Sequence, residues 1–389
     1  MTVTIPAFTD DEILGIREGI DGIKRPLPAR CYHDEEIYRF EVEHILKKHW
    51  LCVGRWDYAE NPGDYFTRTM FGESIVIVRD KDHKLHALIN VCRHRFCQVV
   101  EDGCGNVNML VCPFHSWTYN LDGSLRAVGV QKIEGMDKDK CRLPSLRLEE
   151  WQGFIFINFD SNARALAPQL EAINPIMDLY GVSKYRHQLT QDFDSPWNWK
   201  LNFEAGYEGY HHAGLHNERF NHIEPASGSR PLWFGEICGS YGVPFADNIT
   251  REETRPFGLP PHMKSEDDPI EMDTFIAVYP AFMMYVNSYQ VSYTLVQHQS
   301  VDNNIGSTPQ SFAPWALEAP NAGEIVAEFK KFTVEVQKED TLGCMMMQKG
   351  LKSQSARDGF IHPLEAQMNH YHNWYLDQFE KVRNADPDT

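Results

Sequence analysis

In CRHRFCQVVEDGCGNVNMLVCPFH, residues 92–115, Cys92 and His94 form a C-x-H pair, Cys112 and His115 form a C-x2-H pair, and seventeen residues separate the two. Each pair offers one thiolate and one imidazole. That alternation suits a [2Fe-2S] centre in which two Cys hold one iron and two His the other. Zinc sites more often set Cys with Cys and His with His, as C-x2-4-C followed by H-x3-5-H. The order of the four residues therefore favours the two-iron centre, with a zinc-containing structural module as the alternative. The flanking runs SIVIV (74–78), LHALINV (85–91) and NMLV (108–111) read as strands by their β-branched and apolar content. Pro113, Gly103, Gly105 and Gly123 mark turns between them. The four residues thus fall on two loops that project from neighbouring hairpins, with space for a cluster between them.

The rest of the chain divides by texture. DEEIYRFEVEHILKKHW (34–50) has apolar residues at helical spacing, and from about 62 to 159 short strands alternate with Gly, Asp and Asn, ending in WQGFIFINF (151–159). An amphipathic helix is expected over NARALAPQLEAINPIMDLYG (162–181), strands over TFIAVYPAFMMYV (274–286) and SYTLVQHQSV (292–301), and two long helices over 322–350 and 362–383. The expected class is α+β: a helical segment at 1–44 that packs with the later domain, an all-β domain at 45–160, and at 161–389 helices grouped around an antiparallel sheet. The 389 residues, 42% hydrophobic and 24% charged, are ordinary for a globular enzyme with a large core. A net charge of −18 lacks the basic footprint that nucleic acid or an anionic membrane surface requires. No apolar run reaches spanning length, no basic-then-apolar leader opens the chain, and the nine Cys show no regular pairing. The expectation is a cytoplasmic protein in a reducing compartment.

A second constellation lies in NWKLNFEAGYEGYHHAGLH (198–216). On one helix ending near Gly214, Glu204, Glu208 and His211 would share a face, and His216 could loop back toward them. Two His and one carboxylate with open positions form the facial triad of non-haem Fe(II) oxygenases. A carboxylate is also expected from the last third of the chain. Ile325, Phe329, Phe332, Val336, Gly343 and Met347 form one apolar stripe at steps of three and four; Asp340 falls on it and Glu339 does not. A carboxylate on a buried face is costly unless paired or metal-bound, which selects Asp340 with Glu339 as fallback. Tyr207, Leu215, Phe220, Trp233, Met284 and Tyr285 are candidate pocket residues, although aromatic and Met stripes are more often plain core.

CRHR (92–95) and CPFHSWTYNLDGSL (112–125) resemble the Rieske domain of the Rieske-type non-haem iron ring-hydroxylating oxygenases, and EDTLGCMMMQKGL (339–351) looks like the carboxylate-ligand segment of their catalytic domain. The resemblance implies a Rieske domain placed before a helix-grip-like catalytic domain. It implies one [2Fe-2S] cluster on Cys92, His94, Cys112 and His115, and one mononuclear Fe(II) on His211, His216 and Asp340, with O2 as cosubstrate. Glu208, His211 and His216 match the family register of carboxylate, two residues, His, four residues, His. His212 stands outside it, and His212, Glu204 and Tyr210 are expected beside the ligands. The resemblance gives Glu208 the task of joining His211 to a Rieske His of a neighbouring subunit. Most aromatic-ring dioxygenases carry Asp there, whereas oxygenases of carnitine, glycine betaine and stachydrine tend to carry Glu. Respiratory Rieske proteins hold a disulfide beside the cluster; Cys97 has no partner here, because Phe114 stands at the second position. Cys97 and Cys104 are left as small buried or partly buried thiols.

The function implied by the resemblance is the terminal oxygenase of a multicomponent system, a homotrimer fed by a separate NAD(P)H-dependent reductase of flavin or ferredoxin type. The leading expectation for its substrate is a small aromatic compound. Monooxygenation or N-demethylation of a quaternary ammonium compound is the second, and a Rieske electron carrier is the reading from another class.

Overall fold

The structure is a computed structural model and describes residues 5–131, 133–250, 256–257 and 272–385. The described chain forms two compact units: residues 47–164 joined by 297–299, and the segments on either side.

The first unit is all β. Its strands are β1 (Leu51–Arg55), β2 (Asp64–Met70), β3 (Glu73–Arg79), β4 (Leu85–Ile89), β5 (Cys104–Asn106), β6 (Leu110–Val111), β7 (Trp117–Tyr119), β8 (Leu125–Val128), β9 (Ser145–Trp151) and β10 (Phe154–Asn158). Seven make an antiparallel sheet in the order β1-β10-β9-β4-β3-β2-β5, and β6-β7-β8 form a separate three-stranded sheet. Two hairpins close with two-residue turns whose residues both have positive φ, Phe71–Gly72 (53° and 78°) and Gln152–Gly153 (50° and 79°). Turns of that hand match the right-handed twist of the paired strands. The runs SIVIV and FIFIN lie almost wholly in the core, Ile75–Val78 and Phe154–Ile157 all at 0% exposure.

The second unit carries α1 (Asp10–Arg17), α2 (Glu35–His44), α3 (Asn174–Tyr180), α4 (Trp199–Gly206), α5 (Pro314–Leu317), α6 (Ala322–Leu351) and α7 (Ala366–Ala385). They surround a sheet of order β11-β17-β16-β15-β14-β13-β12. Its strands are β11 (Arg186–Ser195), β12 (Arg230–Phe234), β13 (Cys238–Pro244), β14 (Met272–Val278), β15 (Phe282–Val286), β16 (Gln290–Ser300) and β17 (Asn303–Phe312). The run 274–286 is thus two strands joined by a turn, and 162–181 is a 3-10 stretch (Ala167–Ile173) leading into the short α3. A buried polar knot ties the N-terminal segment to this unit. Lys200 on α4 meets Glu41 on α2 at 2.6 Å with both side chains fully buried, and Glu41 also accepts from Trp199 and from Tyr375 on α7.

The largest departure from the sequence reading is the helix over 198–214. Asn198 caps its start by accepting from the Lys200 N–H, but the α-helix stops at Gly206, and a separate 3-10 turn, Tyr210–Ala213, carries His211. Two glycines lie at the break. A side chain at Gly206 would overlap Met283 on β15, and one at Gly209 would press on Val243 of β13. The chain runs against the sheet where a continuous, fully substituted helix would not fit.

Candidate metal centres

The cluster loops are geometric repeats. In each, the Cys N–H donates to the carbonyl five residues on, Cys92 to Cys97 and Cys112 to Trp117, both pairs 2.8–2.9 Å apart. Each is closed by an N–H four residues on returning to the Cys carbonyl, from Phe96 and Ser116, residues with φ of 62° and 54°. Cys92 and Cys112 are buried at 1% and 2% exposure, while His94 and His115 are exposed with ring centroids 4.6 Å apart. His94 stacks on Trp117 at 5.0 Å. Burial pushes the Cys92 thiol up, with the neighbouring Cys112 adding to it and the Tyr119 hydroxyl, 3.3 Å from Sγ, opposing. Burial acts on Cys112 too, but the Phe114 and His115 N–H groups aimed at its sulfur hold it below the ordinary thiol value. Buried thiols with N–H donors beneath exposed imidazoles fit a cluster with an inner Cys-held iron and an outer His-held one. The four ligating atoms do not converge within the 4.8 Å that would let them share one ion, as tetrahedral zinc requires. Cys97 is partly buried, and Cys104 is exposed, contrary to expectation, because it lies on the edge strand β5.

Among the described residues, His211, His216 and Asp340 alone bring three ligating atoms within 4.8 Å of one another. His216 Nε2 lies 2.8 Å and His211 Nε2 3.9 Å from Asp340 Oδ1. A carboxylate grips the far nitrogen of each ring. His211 Nδ1–H donates to Glu208 Oε1 at 2.7 Å, with the His211 backbone N–H on Oε2, and His216 Nδ1–H donates to Glu339 Oε2 at 2.8 Å. Glu208 and Glu339 can each accept an Nδ1 proton, so with a metal bound each ring would keep its proton on Nδ1 and offer Nε2 to the ion beside Asp340. Burial works against charge on His211, yet Glu208 and Asp340 outweigh it and raise its pKa. The donor set, two imidazoles and a carboxylate on one side only, fits ferrous iron with positions left open.

Glu339 therefore stands differently from its place off the apolar stripe. Its second oxygen accepts from Arg219 Nε at 2.8 Å. Asp340 and Glu339 straddle His216, one at each nitrogen, because the His216 ring inserts beside α6 instead of lying over its apolar face. Gly343, one turn on, leaves room for Leu215. Met347, at the end of the supposed stripe, is 50% exposed.

Glu204 makes its hydrogen bonds away from the ligands. It accepts from the Tyr32 hydroxyl at 2.8 Å and bonds His372 Nε2 at 3.1 Å, tying the N-terminal segment to α7, since the helix break turns Glu204 and Glu208 to different sides. Tyr210 is exposed and stacks on His362. His212 is buried with Nδ1 toward the Glu224 carbonyl at 3.4 Å, its ring stacked on Phe220. Burial, then the charge of His211, pushes it down to about 3, so it is a neutral wall residue.

A cavity of about 190 Å³ opens beside the triad, which forms part of its lining. Phe193, Trp197, Phe220, Tyr241, Phe275 and Tyr285 make it an aromatic box. Roughly 150 Å³ suffices for benzene, so a single ring or a trimethylammonium group with a short tail has room. Phe220 and Tyr285 were legible as lining; Tyr207, Leu215, Trp233 and Met284 do not line it. The alternation of strand β15 decides the last case: Met283 and Tyr285 face the cavity, and Met284 faces the other way.

Comparison with known proteins places these features. Residues 49–136 match the Rieske [2Fe-2S] domain, and residues 182–381 match the ring hydroxylating alpha subunit (catalytic domain). The carnitine monooxygenase oxygenase subunit of Escherichia coli (strain K12) is 36% identical over 199 residues, 49% of this chain and 52% of that protein. The glycine betaine monooxygenase oxygenase subunit of Pseudomonas aeruginosa (strain UCBPP-PA14) is 30% identical over 192 residues, 49% of this chain and 45% of that protein. The chain thus spans about half the length of the curated relatives it matches. The crystal structure of the quaternary ammonium Rieske monooxygenase CntA with an inhibitor shares the fold, with a TM-score of 0.80 at 22% identity over 97% of this chain and 99% of that one.

Proposed function

Because the chain belongs to the ring hydroxylating alpha subunit family, joined to a Rieske domain, we propose that it is the oxygenase component of a multicomponent Rieske system acting on a quaternary ammonium or N-methyl compound. This takes the second expected substrate class ahead of the aromatic one expected first: the carnitine and glycine betaine monooxygenase subunits among its relatives favour the N-methyl reading, although a benzene 1,2-dioxygenase alpha subunit is also among them. The observation that carries it is the aromatic box bordered by His211, His216 and Asp340, since aromatic faces attract a quaternary ammonium group. A hydroxylase, unlike an electron carrier, needs such a cavity beside its second metal.

His211, His216 and Asp340 would hold the mononuclear iron, and Cys92, His94, Cys112 and His115 the cluster. Together these groups supply single electrons and O2 activation when bound. The overall reaction balances as substrate C–H plus O2, NADH and a proton giving C–OH, water and NAD+, with a separate reductase as the NADH-oxidising partner. Glu208 and Glu339 keep the Nδ1 protons of the two imidazoles and so fix the rings. Phe193, Phe220 and Phe275 exclude water and hold the methyl groups against the triad. Glu208 would also face a Rieske imidazole of a neighbouring subunit, making the working unit a cyclic oligomer, with three chains as the expected count.

The test is O2 and NADH consumption with a surrogate reductase over matched panels of trimethylammonium and benzenoid compounds. Coupled turnover with the first panel, releasing formaldehyde or an aldehyde, is the expected result. Turnover with benzenoids alone would reverse the substrate assignment.

A further inference from the structure

Behind one wall of the cavity lie two carboxyl groups that the chemistry above does not use. Glu224 is 2% and Asp273 5% exposed. Tyr285 OH donates to Asp273 Oδ2 at 2.7 Å, and Asn287 Nδ2 donates in turn to the Tyr285 oxygen at 2.8 Å. Phe275 follows Asp273 by two residues on β14, pairs across the sheet with Tyr285 and stacks flat on Tyr241 at 4.6 Å. All three rings line the cavity. Glu224 reaches the same place from the turn after His216, its N–H on the Phe220 carbonyl at 2.7 Å and its own carbonyl accepting from His212.

Neither carboxyl has a Lys or Arg partner among the described residues, and Glu224 Oε2 has no hydrogen-bond partner. Burial raises both groups. Glu224 rises further through its closeness to Asp273, whereas the bonds from Glu224, Tyr285 and Asn287 hold Asp273 back. Asp273 has the Tyr285 hydroxyl as a donor to stabilise a charge and Glu224 Oε2 has none, so the pair is arranged to share one proton held on the Glu224 side. A buried carboxylate without a charged partner is strongly unfavourable unless a cation stands nearby, and the aromatic box bordered by Tyr285 and Phe275 is a space that can take one.

We propose that the Glu224–Asp273 pair, one negative charge set behind the Tyr285 and Phe275 wall, selects a cationic substrate head over a neutral head of the same shape. The charge acts through the rings, adding to their own attraction for a cation. This inference rests on the N-methyl substrate reading and names the groups that enforce it.

The experiment is equilibrium binding of choline and its carbon isostere 3,3-dimethylbutanol to the intact metal-loaded protein, followed by quenching of tryptophan fluorescence, Trp197 being in the wall. The wild type should prefer choline by about tenfold or more, a difference of about 1.4 kcal/mol. Asp273→Asn, which keeps shape and removes charge, should bring the ratio to near one without weakening 3,3-dimethylbutanol. If the wild type shows no preference, the N-methyl reading falls and this proposal with it. If the wild type prefers choline and Asp273→Asn does so equally, the pair's role is overturned and the substrate class stands. Should Asp273→Asn not fold, Tyr285→Phe keeps the ring and removes the bond that holds the charge: a reduced ratio upholds the proposal, an unchanged one overturns it.

Discussion

Replacing Glu339 by Ala removes the acceptor from His216 Nδ1, 2.8 Å away, and the partner of Arg219 Nε, also 2.8 Å away. The His216 side chain is 1% exposed, while Glu339 is 30% exposed, so its charge is partly screened and water can partly replace the lost acceptor. A charge-assisted hydrogen bond of this kind contributes about 1.5–3 kcal/mol, and screening favours the lower half of that range. Without it the ring can rotate or shift its proton to Nε2, the nitrogen a metal needs. About 1.5–2 kcal/mol corresponds to a metal affinity roughly 10- to 30-fold weaker. The assay is anaerobic titration of iron-stripped protein with Fe(II), with the visible absorption of the cluster as an internal control. Glu339→Gln, which keeps one acceptor oxygen, should fall between the Ala variant and the wild type. Wild-type metal affinity in Glu339→Ala would refute the reasoning and return Glu339 to the solvent-facing role its place off the apolar stripe suggests.

Cys112→Ser should abolish the reduced Rieske EPR signal while leaving Fe(II) binding at His211, His216 and Asp340 intact; a surviving signal would remove Cys112 from the cluster. Glu208→Gln should retain both metals and normal cluster reduction while product formation falls at least about tenfold, and co-assembled Cys112→Ser and His211→Ala chains should regain activity across the subunit boundary. A fully active isolated monomer would contradict that scheme. Lys200→Met leaves Glu41 buried without its cation and should cost about 3–5 kcal/mol in urea unfolding; a loss under about 1 kcal/mol would show that Trp199 and Tyr375 suffice to hold Glu41. Burial opposes ionisation of Asp80, but His86, 2.6 Å away, and the Lys84 and Asp82 N–H groups lower its pKa. A depressed carboxylate stabilises the fold above its unfolded value of about 3.9, and that contribution disappears as pH falls through the lower folded value. Asp80→Asn should therefore destabilise at neutral pH and converge with the wild type in strong acid.

The sequence alone was enough for whatever depends on short spacing. The two cluster loops are closed by hydrogen bonds within six residues, so Cys92, His94, Cys112 and His115 were legible from local pattern. The long α6 announced itself through periodicity in the same way, whereas the turn at Gln152–Gly153 fell inside a run read as one strand. The step from Glu208 to His211 and His216 was readable as a register, although the helix presumed to carry it was not. Gly206 and Gly209 sit at the end of that helix with β15 and β13 close against them, and no neighbour of either glycine in sequence reveals those strands. The helix break sends Glu204 to Tyr32 and His372 and leaves Glu208 on His211. Glu339 shows the limit most plainly. Helical periodicity assigns a face relative to the helix axis, whereas a ring wedged beside the helix can be gripped from two faces at once. Which groups surround His216, and which carboxylates lie behind Tyr285, depends on segments far apart in the chain meeting in space, and only the tertiary packing decides that.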